Sequence, residues 1–205
     1  MRKLLPVLAA ASLAAMLAGC ETKRPAPMHQ WPSPQMPQTP SPGIAAPTPP
    51  PVNLAGPLTQ AGVGKYMDAQ EAELRARLKG RGVMVVRRGN DILLTFPNDK
   101  LFEGMKVGSS GRSLLETLAL VLRRFDHTQV QVNGYTDTSG SAEQNLEVSQ
   151  KRAALVAEAL TETGIAEART ESHGFGATSL KVMTGDHVNE PRNRRIELRI
   201  VPRPG

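Results

Sequence analysis

The chain has one cysteine, Cys20, so it can form no internal disulfide and offers no cysteine cluster for a metal. Aromatic residues are scarce, with one Trp, two Tyr and four Phe. That argues against a surface on which nucleic-acid bases stack, although a net charge of +6 suits a polyanionic partner. There is no H-E-x-x-H helix and no G-x-S-x-G elbow. His127, His173, Ser149 and Asp137 supply the residue types of a triad without its sequence context, so neither catalysis nor a cofactor nor a metal is expected. The longest apolar run, residues 4–18, is roughly 15 residues, short of the about 20 that span a bilayer.

What is present begins with that run. Arg2 and Lys3 precede it, as in a secretory signal peptide, here residues 1–19. It ends Leu17-Ala18-Gly19-Cys20, which resembles a bacterial lipobox. The resemblance implies cleavage before Cys20 and lipid attachment to it, and several acyl chains on one residue give stable anchoring. Glu21, in place of Asp, implies sorting to the outer membrane. From Pro25 to Pro57 proline recurs without apolar periodicity, which removes amide donors and fixes φ. Residues 20–60 therefore read as a disordered, extended tether carrying the lipidated cysteine, reaching at most about 100 Å at 3.1 Å per residue. A spacer with no length requirement has the same composition.

The folded part starts near residue 61. Tyr66 to Lys79 is expected to be helical, acidic early and basic late, stopping at Gly80. Val83–Val86 and Ile92–Phe96 flank a Gly-Asn turn and predict a hairpin, so residues 61–90 form a helix-and-hairpin extension of a domain over 91–205. Pro97 to Arg112 reads as a loop in which Asn98, Asp99 and Lys100 are candidate cleft-wall residues. Ser113-x-x-Glu116 predicts a helix start, followed by the apolar stripe Leu114, Leu115, Leu118, Val121, Leu122 and Phe125. A strand over 129–134, a helix from Ala142 to about Thr163 with Leu146, Ala153, Val156, Ala157 and Leu160 on one side, and strands at Arg169–His173 and Arg194–Val201 complete the order. Strand–helix alternation of this kind implies an α/β (α+β) sandwich with helices on one face of a mixed sheet.

Between the third strand and its helix lies Gly134-Tyr135-Thr136-Asp137. Ser141-x-x-Gln144 caps the helix, and Asn145, Ser149 and Arg152 recur at i, i+4 and i+7 on one stripe. A loop carboxylate and a helical guanidinium facing one cleft suit a zwitterion: Asp137 takes an ammonium and Arg152 a carboxylate through two parallel bonds. The same spacing also fits a structural salt bridge.

The stretch G-Y-T-D-x-x-G-x-x-x-x-N-x-x-V-S-x-x-R-A, residues 134–153, resembles the signature of the OmpA-like C-terminal domain. That domain is shared by OmpA and the peptidoglycan-associated lipoproteins. Asn193-Arg194-Arg195-Ile196-Glu197 resembles its closing strand, and the opening Y-M-D-x-Q-E-x-E-L-R is similar to the YiaD-type branch. The resemblance covers roughly residues 90–201 and implies a βαβαβ(β) domain. It implies that Asp137 and Arg152 clamp the free amino-acid end of meso-diaminopimelate in peptidoglycan. Asn145 bonds the ligand or the loop unless it is a surface amide, Tyr135, Thr136 and Ser149 support the cleft, and Arg194 braces Asp137. Val148, Leu180 and Asn189-Glu190-Pro191 depart from the pattern near the cleft without touching the clamp. The expected function is an outer-membrane lipoprotein that links membrane to wall without nucleic-acid contact. The alternative is a wall-binding accessory or regulatory subunit of a larger envelope complex serving secretion, motility or stress sensing.

Overall fold

The computed structural model describes residues 56–204. The signal peptide, the Cys20 lipid site and the tether through residue 55 lie outside the described residues.

Helix α1, Val63–Leu78, presents Tyr66, Met67, Leu74 and Leu78 inward. The chain then forms a hairpin of β1, Met84–Arg88, and β2, Asp91–Pro97. Arg88 pairs with Asp91 across a two-residue turn in which Gly89 has φ +59°, a conformation that costs glycine little and other residues more. Along β2 burial alternates, with Ile92, Leu94 and Phe96 turned to the core.

Residues 97–112 are more ordered than the expected loop. They hold a helical turn, α2, Asn98–Leu101, and a small hairpin of β3, Phe102–Glu103, and β4, Lys106–Val107. Leu101 and Phe102 are both buried and anchor this segment, although too short an apolar pair to show periodicity. Helix α3, Ser109–Arg124, starts four residues before the expected capping box. The Ser113 hydroxyl accepts a hydrogen bond from Arg81 instead of capping. The first turn docks on α2 because Gly111 has no side chain, since a Cβ there would overlap the Leu101 carbonyl. The predicted stripe is buried as expected, each leucine contributing about 2 kcal/mol relative to exposure.

Strand β5, Thr128–Tyr135, leads into helix α4, Ala142–Glu162, then β6, Thr170–Gly174, and β7, Arg195–Pro202. The sheet order is β1-β2-β7-β5-β6, parallel only between β5 and β6 and antiparallel elsewhere. This is a mixed sheet with helices packed on it, as the order of elements implied. One hydrophobic cluster runs from α1 and β2 through α3 to α4 and β7, so residues 61–90 share the core of the rest. Leu146 departs from the expected stripe: it is 53% exposed, and Asn145 and Ser149 take the inward positions of that turn.

Two side chains fix the start of β5 and the strap before β7. Arg169 donates to the carbonyls of Leu122, Phe125 and Thr128, closing the turn between α3 and β5. Asn193 donates to the Val182 carbonyl and accepts from the Val182 amide, pinning the strap over residues 175–194 on itself.

Candidate functional site

The end of β5 is pressed against α4. Gly134 faces the helix, and a Cβ there would overlap the Ser149 carbonyl. The chain leaves the sheet at Thr136 and enters α4 through the capping box, the Gln144 amide donating to Ser141 Oγ and the Ser141 amide to Gln144 Oε1, each at 3.2 Å. The intervening loop is held by Asn145, whose Nδ2 donates to the Gly140 carbonyl at 3.2 Å. It is also stitched to the strap. The His187 amide donates to the Thr138 carbonyl, and Thr138 Oγ1 donates to the Gly185 carbonyl and accepts from the Val188 amide. His187 has φ +59°, uncommon for a residue with a side chain, and this bonding holds it there.

Asp137 stands in the middle of that loop with its side chain 3% exposed. Its Oδ1 accepts from Ser139 Oγ at 2.6 Å and the Ser139 amide at 3.3 Å. Its Oδ2 accepts from Arg194 Nη1 at 2.5 Å and the Glu190 amide at 3.2 Å. Burial by itself would raise this carboxyl, but the bonds from Ser139 and Arg194 outweigh it and hold the carboxyl below the usual range. Arg194 also donates to Asn189 Oδ1.

Arg152 is in the opposite condition. Among the described residues no carboxylate pairs with it, and its Nε is buried with no hydrogen-bond partner. Its guanidinium lies 5.8 Å from the centroid of the Phe102 ring, a cation–π contact that fixes its direction without neutralising it. Burial, and then the nearby charge of Arg194, lower its proton affinity from the ordinary arginine value, while Asp137 works the other way.

Asp137, Arg152, Asn145, Thr136 and Arg194 line one open cleft of about 500 Å³. Tyr135 and Ser149 do not line it. Tyr135 alternates to the other face of the sheet, where it stacks on Phe175 at 5.3 Å and under the Arg195 guanidinium at 3.9 Å. Ser149 is fully buried, donating to the Leu146 carbonyl and accepting from the Gly176 amide, each at 2.8 Å, so it fixes the start of the strap. Thr136 Oγ1 is buried with no partner at the cleft floor. Asn98, Asp99 and Lys100 do not form the wall either. Met105, at the tip of the β3–β4 hairpin, does, with Ser139 and the Glu147–Lys151 ion pair on the rim. Glu147 and Lys151 are four apart on α4, the second of them next to Arg152, a helical spacing that could have marked them in the sequence. The Met105 wall had no such signal, because the hairpin that carries it is fixed by tertiary anchors.

The arrangement sets a half-buried guanidinium, unpaired among the described residues, beside an already bonded carboxylate. Residues 102–194 match the OmpA family. The probable lipoprotein YiaD of Escherichia coli (strain K12) is 37% identical over 143 residues, 69% of this chain and 65% of that protein. The peptidoglycan-binding protein ArfA of Mycobacterium tuberculosis (strain ATCC 25618 / H37Rv) is 29% identical over 105 residues, 51% of this chain and 31% of that protein. The chain thus spans less than two thirds of the length of either relative. A solved structure of the cell wall anchor of the T6SS from Pseudomonas aeruginosa superposes with a TM-score of 0.56 at 26% identity, covering 65% of this chain and 96% of that one.

Proposed function

We propose that this protein, whose residues 102–194 match the OmpA family, is an outer-membrane lipoprotein that holds peptidoglycan non-covalently through meso-diaminopimelate. The observation that carries this is Arg152: a half-buried guanidinium with no anionic partner among the described residues, in a cleft that Asp137 also lines. A partly desolvated cation is costly until an anion meets it, so the cleft is built for a carboxylate delivered from outside. Meso-diaminopimelate presents a carboxylate and an ammonium on one carbon, and the stem peptide leaves that end free. A lysine-type stem peptide lacks the carboxylate and leaves Arg152 unpaired. The relatives named for a lipoprotein and for peptidoglycan binding support the two ends of the link, lipid at Cys20 and wall at the cleft. The role is anchoring without chemistry, and the domain faces the periplasm on its tether.

The test is a pull-down on purified sacculi. Asp137→Ala and Arg152→Ala each abolish binding to diaminopimelate-type sacculi while circular dichroism stays that of the wild type. Retained binding by both folded variants overturns the assignment.

A second role is favoured by the likeness to the wall anchor of the T6SS: the same cleft serves as the wall-binding part of a larger envelope complex. Co-purification from cross-linked envelopes separates the two. A plain anchor brings down wall fragments and little protein, and a subunit brings down stoichiometric partners.

A further inference from the structure

A second cavity, of about 610 Å³, shares no lining residue with the cleft. Arg81 and Lys100 line it, with Ser109, Ser110 and Ser113, and no carboxylate does. Asp99, next to Lys100 in sequence, is not part of the lining. Among the described residues Arg81 donates to neutral hydroxyls alone, Thr117 Oγ1 at 2.6 Å and Ser113 Oγ at 2.9 Å. The backbone delivers it there. Gly80 and Gly82, with φ +74° and +76°, take the left-handed conformation that suits glycine, and the turn they form sets Arg81 against α3. This cavity and the cleft lie at one end of the sheet. Pro97 pairs with Arg195 and Arg195 with Tyr135, so α2 and the loop bearing Asp137 leave the sheet side by side. Met84 pairs with Thr95, so the Gly80–Gly82 turn precedes β1 at the same end. Residues 98–110 serve both places, giving Met105 to the cleft and Lys100, Ser109 and Ser110 to the second cavity. The chain enters α1 at the opposite end, where the Tyr66 hydroxyl accepts from the His127 amide just before β5.

We propose that Arg81 and Lys100 form a second anion site, which takes a carboxylate from a stem peptide neighbouring the one held in the cleft. This rests on the reading of the cleft as a peptidoglycan site. A polymer gripped at the cleft runs past the same end of the domain, and its stem peptides repeat free carboxylates along it. A guanidinium has more donors than the two hydroxyl bonds of Arg81 use, so donors remain for an oxyanion. Lys100 is exposed and adds a second positive charge, and the Ser109 and Ser110 hydroxyls add neutral donors. Exposed charge contacts of this kind are individually weak. Linkage gives this one its effect. Once the cleft holds one stem peptide, the second contact is intramolecular, and avidity rises with no change in the cleft itself. The site therefore acts on the polymer and not on a single soluble peptide.

The test titrates the full chain, at low ionic strength, against two probes. One is purified diaminopimelate-type sacculi, and the other is the soluble tripeptide L-Ala-γ-D-Glu-meso-diaminopimelate. In the double variant Arg81→Gln with Lys100→Gln, apparent affinity for sacculi is expected to fall about tenfold, while affinity for the tripeptide stays within about twofold of the wild type. Lys100→Glu reverses an exposed charge and leaves the bonds of Arg81 to α3 in place. It is expected to lose at least about fivefold on sacculi, and it decides the matter if the double variant fails to fold. The proposal is overturned if the folded variants bind sacculi within about twofold of the wild type, or if tripeptide and sacculus binding fall together. It is likewise overturned if the variants keep sacculus binding and lose only binding to vesicles of phosphatidylglycerol and phosphatidylethanolamine, which makes the cavity a lipid contact. Absence of tripeptide binding by the wild type defeats the diaminopimelate reading of the cleft, a result distinct from sacculus binding that ignores Arg81 and Lys100.

Discussion

Asp137 and Arg152 show how far neighbours decide what a charged side chain can do. Both were legible as a pair from a loop position and a helical stripe. Their partners were not, because Ser139, Glu190 and Arg194 meet Asp137 only after the strap folds back over the loop. Tyr135 and Ser149 adjoin the signature yet serve the scaffold. For Tyr135 the period of two along β5 already pointed away, since Gly134 must face α4. The depressed Asp137 carboxyl has a pH consequence. Its folded value lies below the unfolded one, about 3.9, so its contribution to stability is fully present above that range and is lost as pH falls through the folded value. The urea midpoint is therefore expected to be insensitive to Asp137 protonation from pH 7 to about 5 and to fall below about pH 4. Asp137→Asn removes that share of the acid loss, which paired urea titrations of the two proteins will measure.

Elements whose signals are local were read correctly from the sequence, and those set by distant contacts were not. The Ser141–Gln144 capping box forms with both of its bonds, and the β1–β2 turn falls at Gly89-Asn90. Both depend on residues within four positions of each other. The β3–β4 hairpin and the first turn of α3 depend on Leu101, Phe102 and a glycine that admits another backbone, none of which carries a periodic signal. The packing of β5 on α4 gives a sharp expectation. Gly134→Ala places a methyl group where the Ser149 carbonyl stands and costs about 3 kcal/mol, read as a lowered melting temperature. Because α4 also carries Arg152 and Asn145, sacculus binding weakens in any fraction that remains folded.

At the scale of the molecule, β1 belongs to the same sheet, and α1 to the same core, as the cleft-bearing half. The signature motif gave the second half its fold, whereas α1 and the hairpin followed from amphipathic pattern and turn chemistry alone. Residues 57–205 are accordingly expected to fold without the preceding segment and to bind diaminopimelate-type sacculi as the full chain does, checked by circular dichroism and the same pull-down. A shorter fragment starting at 91 loses α1 and β1 and exposes Ile92, Leu94 and the α3 stripe.

The central place of β7 bears on how the protein is made. Residues 195–202 are late in the chain yet sit between β2 and β5. While the ribosome has yet to supply them, the β1–β2 hairpin and the β5–β6 pair are two half-sheets with no ladder between them, and non-local pairing of this kind forms slowly. The residues that join the two half-sheets are thus the last of the sheet to be made.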